Sequence, residues 1–194
     1  ELGEEGRALQ TKMLEAARPH LLRIAGPNCL GIMAPGNGLN ASFGHVQPGK
    51  GNVAFVSQSG AIVTAVLDWA TSRGIGFSRV ASLGGMSDVD FGDMLDYLAA
   101  DPQTKSILLY IDSITAAPKF MSAGRQAARL KPVIVIKSGR HAAGAKAAAS
   151  HTGALAGADA GYPAAFRRAG MLPDLGTEDL FDSVETPSAR PERR

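Results

Sequence analysis

Four short apolar runs, at 52–57, 77–82, 106–111 and 133–136, alternate with segments of helical spacing, and this alternation constrains the fold more than any other feature of the chain. Strands of four to six residues that each lead into a helix pair in parallel, because a helical crossover returns the chain to the same end of the sheet. Asn52 to Ser57 carries Val53, Phe55 and Val56, Ser59-Gly60 opens a helix running to about Arg73, and Phe77 to Ser82 closes a first βαβ unit. Asp88 to Ala99, Ser106 to Ile111, Pro118 to Leu130 and Val133 to Ile136 repeat the pattern as helix, strand, helix and strand. The pattern predicts an α/β fold with a doubly wound parallel sheet.

The flanks read differently. Glu4 to Arg18 places Leu9, Met13, Leu14 and Ala17 at helical spacing, Pro19 blocks continuation, and Leu21 to Ala25 reads as a short buried strand. From Gly26 to Gly51 the chain is rich in Gly, Pro and Asn and reads as a linker, with a boundary near Pro48. Downstream, Ala158 to Arg168 and Thr177 to Val184 are expected helices, with a short strand around Met171-Leu172. Hydrophobic residues at 45% and charged ones at 20% fit an ordinary globular chain, and a net charge of +2 gives no electrostatic case for nucleic-acid binding. Cys29, the one cysteine, cannot form an internal disulfide; neither a signal peptide nor a run of about 18 apolar residues is present, so a cytoplasmic protein without a membrane partner is expected. The chain opens without Met and closes on Arg190-Pro191-Glu192-Arg193-Arg194, which suggests a piece of a longer protein ending in a solvated tail.

The chemistry is expected in residues 137–157, Lys-Ser-Gly-Arg-His-Ala-Ala-Gly-Ala-Lys-Ala-Ala-Ala-Ser-His-Thr-Gly-Ala-Leu-Ala-Gly. This stretch leaves the fourth strand at its carboxyl end, where open α/β sheets place their ligands. It sets His151 between Ser150 and Thr152, ahead of Gly153. No acidic residue occurs between Asp112 and Asp159, whereas seven Lys or Arg do, so an approaching anion such as phosphate meets no local carboxylate. Ser57-Gln58-Ser59-Gly60-Ala61 lies where strand passes into helix, so its N–H groups either cradle an anion at the helix's positive end or Ser59 simply caps the helix.

A histidine that attacks phosphorus does so from a neutral ring nitrogen and needs a partner on the other. Asp112, directly after the apolar run 107–111, is the candidate partner; it equally suits the start of a turn in Asp112-Ser113-Ile114-Thr115. Gly26-Pro27-Asn28-Cys29-Leu30-Gly31 forms a turn that permits close backbone approach to a ligand, and Cys29 has neither a general base nor metal-ligand spacing beside it. In Gly84-Gly85-Met86-Ser87-Asp88-Val89-Asp90 the aspartates read as helix-capping and first-turn charges. No metal site is expected.

Together these residues resemble the nucleoside-diphosphate-forming acyl-CoA synthetases, the α subunit of succinyl-CoA synthetase and, more closely, the ADP-forming acetyl-CoA synthetases. Gly26 to Gly31 is similar to the end of that family's CoA-binding Rossmann domain, Ser57 to Ala61 to its phosphate-holding helix start, and Ser150-His151-Thr152-Gly153-Ala154-Leu155-Ala156-Gly157 to its phosphohistidine loop. The resemblance implies a flavodoxin-like succinyl-CoA synthetase domain over 48–186, preceded over 1–47 by the C-terminal part of a CoA-binding Rossmann domain and followed by a tail over 187–194. It implies catalysis by His151 and Asp112, phosphate binding at Ser59, Gly60, Ala61, Thr152 and Gly153, and CoA binding at Asn28, Cys29 and Leu30.

In such enzymes acyl-CoA and phosphate give an acyl phosphate and CoA, the phosphoryl group passes to histidine, and a mobile loop carries it to a nucleotide on an ATP-grasp domain. The implied ligands are therefore CoA, phosphate and ADP or ATP with Mg, the last two held on an ATP-grasp domain or subunit outside this chain; a homo-oligomer is expected. The family usually supports its histidine with glutamate. Asp112 is one methylene shorter, so either the loop sits closer or the contact is weaker. The stretches from Gly76 to Ser113 and from Leu180 to Thr186 are also similar to the synthetase-like region of GNAT-fused protein lysine acetyltransferases, where the region senses acyl-CoA or nucleotide.

Overall fold

The computed structural model describes residues 3–138 and 161–174. Its centre is set by two strands with apolar residues on both faces, β3 (Lys50–Ser57) and β5 (Ser106–Ile111). Such strands are stable only when helices cover both sides. They pair in parallel with each other, β3 also with β4 (Phe77–Ser82), and β5 with β6 (Val133–Lys137), which pairs in parallel with β7 (Leu172–Asp174). The chain reverses its direction of travel across the sheet between β4 and β5, on either side of β3, which is the flavodoxin-like order.

The faces divide by strand alternation. Val53, Phe55, Leu108 and Tyr110 meet Val63, Val66, Leu67 and Ala70 of α2 (Gly60–Ser72). Ala54, Val56, Ile107 and Leu109 meet Leu95 and Leu98 of α3 (Phe91–Ala100), Phe120 of α4 (Ala117–Leu130) and Phe166 of α5 (Gly161–Arg168). Each large apolar side chain removed from water here contributes roughly 1.5–3 kcal/mol. Edge-to-face contacts from Phe91 to Phe120 at 6.5 Å and from Phe120 to Phe166 at 6.0 Å tie the three helices of this face together.

Two expectations need correction. Residues 26–51 are not a bare linker: β1 (Gly31–Ala34) and β2 (Leu39–Ser42) form a hairpin, and β1 pairs antiparallel with β4 through Ile32 opposite Ala81 and Met33 opposite Val80. Among the described residues the sheet is therefore seven-stranded and mixed, in the order β2-β1-β4-β3-β5-β6-β7. Gly31 is required there, with φ at +123° and a Cβ that would run into the carbonyl of Ala41. Leu21 to Ala25, expected as a buried strand, has no ladder; Leu21 is 88% exposed, and the Ile24 carbonyl accepts one bond, from Val89 N–H. A strand without a neighbour leaves its backbone to water, and nothing among the described residues offers one.

α1 (Gly3–Ala17) and α5 lie where helices were expected, and β7 begins one residue later than foreseen. The Thr177–Val184 helix and the 187–194 tail lie outside the described residues. No helix among those described is long and apolar enough to cross a membrane.

Candidate active site

Parallel strands bring their carboxyl ends to one edge, and there the chain gathers most of the described residues singled out above. Ser59 is the N-cap of α2, its Oγ accepting from Ile62 N–H at 3.4 Å. The capping alternative is thus realised, and it leaves the N–H groups of Gly60 and Ala61 ahead of any helical acceptor. Ser57 fixes the approach, its hydroxyl accepting from Ser59 N–H at 3.1 Å and donating to the Ser59 carbonyl at 2.8 Å. Below lies Ser82, the last residue of β4. Its hydroxyl is fully buried, has no hydrogen-bond partner among the described residues, and stands 3.8 Å from where a Cβ on Gly60 would be.

Asp112 follows β5 directly and is half-buried, so the carboxylate stands at the same edge as the start of α2. Burial pushes the neighbouring Tyr110 phenol up from its ordinary value, and the negative charge of Asp112 adds to that rise. A residue given no separate role in the sequence reading joins the two turns. Gln58 Oε1 accepts from the N–H groups of Asp112 at 3.0 Å and Ser113 at 2.9 Å, while its Nε2 donates to Ser113 Oγ at 3.0 Å. Its place inside the Ser57–Ala61 motif was the available signal; its partners, 54 and 55 residues away, were not readable from spacing.

The turn at 26–30 flanks this edge. Asn28 is exposed with φ at +56°, Cys29 is half-buried with its thiol 3.6 Å from the Ala25 carbonyl, and the Leu30 side chain packs in the core beside Gly60. The turn is held to the loop after β4: Gly85 N–H donates to the Pro27 carbonyl at 2.8 Å and Ser87 N–H to that of Gly26 at 2.9 Å. Gly84, with φ at +53°, is packed so closely that a Cβ would overlap the carbonyls of Pro27 and Asn28.

Next to the turn three carboxylates share two cations. Asp90 caps α3 in a reciprocal capping box with Asp93, as the capping reading expected. Asp88 accepts from Ile24 N–H at 2.7 Å and pairs with Arg23, which also reaches Asp93 at 3.2 Å. Lys119 of α4 bridges Asp90 and Asp93. Burial alone would raise the Asp93 carboxyl, but the Lys119 ammonium, the Asp90 N–H and Arg23 outweigh it and hold the group at about 2. His151, Thr152 and Gly153 lie outside the described residues.

Residues 50–186 match the family described as the succinyl-CoA ligase like flavodoxin domain. The chain belongs to that family. Among relatives of this succinyl-CoA ligase like chain, the ADP-forming acetate–CoA ligase I of Archaeoglobus fulgidus is 46% identical over 94% of this chain and 27% of its own length. The α subunit of the ADP-forming acetate–CoA ligase I of Pyrococcus furiosus is 41% identical over 99% of this chain and 42% of its own. A solved structure, the dinucleotide forming acetyl-coenzyme A synthetase 1 of Ca. Korarchaeum cryptofilum in complex with phosphate and ADP, superposes with a TM-score of 0.87 at 38% identity, covering 95% of this chain and 40% of that one. The chain thus spans well under half the length of these relatives.

Proposed function

We propose that this chain is the segment of an ADP-forming acyl-CoA ligase that exchanges a phosphoryl group through His151. The observation that carries the reading is the convergence, at one sheet edge, of the unpaired N–H end of α2, the Asp112 turn and the strand that leads into the histidine loop. The family match and the ligase relatives support it; no finding favours the sensing region of an acetyltransferase.

Acyl-CoA and phosphate would react first, a phosphate oxygen attacking the thioester carbonyl and the CoA thiolate leaving. Gly60 and Ala61 N–H would hold the phosphate dianion, aided by the α2 dipole and the unpaired Ser82 hydroxyl, with Thr152 and Gly153 closing the cradle. The neutral imidazole of His151 would then take the phosphoryl group from the acyl phosphate, releasing carboxylate, while Asp112 offsets the positive charge on the ring. Transfer to ADP would follow on an ATP-grasp domain or subunit that also holds Mg. Asn28, Cys29 and Leu30 would take part in CoA binding, in keeping with residues 1–47 as the end of a CoA-binding Rossmann domain, 48–186 as the ligase-like unit and 187–194 as a tail. The exposed Leu21 and Leu22 agree with a neighbouring domain there. The same reading takes the protein as cytoplasmic, in keeping with its lone cysteine, and as a homo-oligomer.

Phosphate titration followed by amide NMR tests the cradle. Saturable shifts of Gly60 and Ala61 are expected, and shifts confined to the basic tail would contradict the assignment.

A further inference from the structure

We infer that Gln58 is a positioning residue for Asp112, a clamp that locks the carboxylate's turn to the phosphate end of α2. This rests on the phosphohistidine reading above and adds to it the element that sets the distance between its two halves. The orientation of the amide is fixed by its partners: two backbone N–H groups, of Asp112 and Ser113, can bond only to an acceptor, so Oε1 faces them and Nε2 faces Ser113 Oγ. The Gln58 backbone is held as well, its N–H donating to the Tyr110 carbonyl at 3.1 Å, two residues before Asp112. Four bonds therefore join the β3–α2 turn to the end of β5, with the side chain half-buried.

That arrangement does more than close a loop. Asp112 N–H is spent on Gln58, which sets the direction in which its Cα–Cβ bond leaves the strand. Ser113 Oγ accepts from Nε2, which leaves its own O–H to donate elsewhere. Because the same five-residue turn also presents Gly60 and Ala61 N–H, Gln58 couples the position of the charge that stabilises a phosphorylated ring to the position of the phosphate it came from. Misplacement of about 1 Å in such an arrangement is enough to cost a hundredfold in rate.

A double-mutant cycle on the full-length protein, reading the rate of His151 labelling by ATP with magnesium, tests the clamp. Gln58→Met keeps the length of the side chain and removes its three amide hydrogen bonds; Gln58→Asn is one methylene too short to reach both N–H groups and serves if the Met variant does not fold. Labelling is expected to fall about tenfold in the wild-type background and less than about twofold when Asp112 is already Asn, because the clamp then has no carboxylate to place. The melting temperature is expected to shift similarly in both backgrounds. Equal losses of rate in both backgrounds, or no loss from either variant, would overturn the clamp while leaving the phosphohistidine intact. Absence of any label on the wild-type protein would overturn the reading on which the clamp depends.

Discussion

Arg79 and Asp101 form an ion pair at 3.3 Å with side chains 9% and 5% exposed. The pair is fully furnished: Arg79 donates to Tyr97 OH, the Ser78 carbonyl and Gln103 Oε1, and Asp101 accepts from Thr104 Oγ1 at 2.8 Å. Removing one member strands the other charge in the interior, so Asp101→Ala is expected to cost about 3 kcal/mol of stability in denaturant unfolding. The His45–Asp68 pair at 2.9 Å has the shorter contact but both side chains are more than half exposed. Asp68→Ala is expected to leave the unfolding midpoint nearly unchanged, which makes burial rather than distance the deciding variable. Gly84→Ala belongs to the same scale: at φ +53°, with carbonyls where its methyl would go, it is expected to lower the melting temperature and free the Pro27-Asn28 turn. None of these partnerships was legible in the sequence. Ser59 as a cap and Asp90 as a cap were, because capping is decided within three or four residues.

Among elements, the N-terminus of α3 concentrates the titrating charge. Asp93 sits near 2 against an ordinary 3.8, and Asp88 is lowered too, chiefly by its bond to Arg23. A carboxyl depressed on folding stabilises the native state above its unfolded value, and that stabilisation is lost as pH falls through the folded one. Asp93 therefore contributes about 2 kcal/mol above pH 4, shed between about pH 4 and pH 2. Asp93→Asn is expected to unfold more easily at neutral pH and to show a flatter loss of stability across that acid range. If the two proteins fall in parallel, the capping box and its Lys119 bridge do not carry this acid sensitivity.

The strand–helix alternation from 52 to 136 was readable because each element has its own local periodicity. The β1–β2 hairpin was not: its strands are four residues each, rich in Gly and Asn nearby, and β1 is held by pairing with β4 about fifty residues away while β2 pairs only with β1. Leu21 to Ala25 failed in the opposite sense, an apolar run with no partner strand to make it one.

At the scale of the molecule, parallel pairing sends the β-to-α turns to one edge, which is why the start of α2 and the Asp112 turn meet although they lie some fifty residues apart along the chain, beside the carboxyl end of β6. That edge could be inferred from the alternation alone. What could not was how its pieces are joined, since the Gln58 clamp and the staple between the 26–30 turn and the loop after β4 are contacts of the folded chain. Whether His151 carries the phosphoryl group is decided by incubating the full-length protein with radiolabelled ATP and magnesium and mapping the product by digestion. One labelled peptide containing His151 is expected, stable to base and labile to acid, discharged by ADP and absent from His151→Ala, whose thermal unfolding matches the wild type. A label that survives acid, or one that persists in His151→Ala, would contradict phosphoryl transfer through His151.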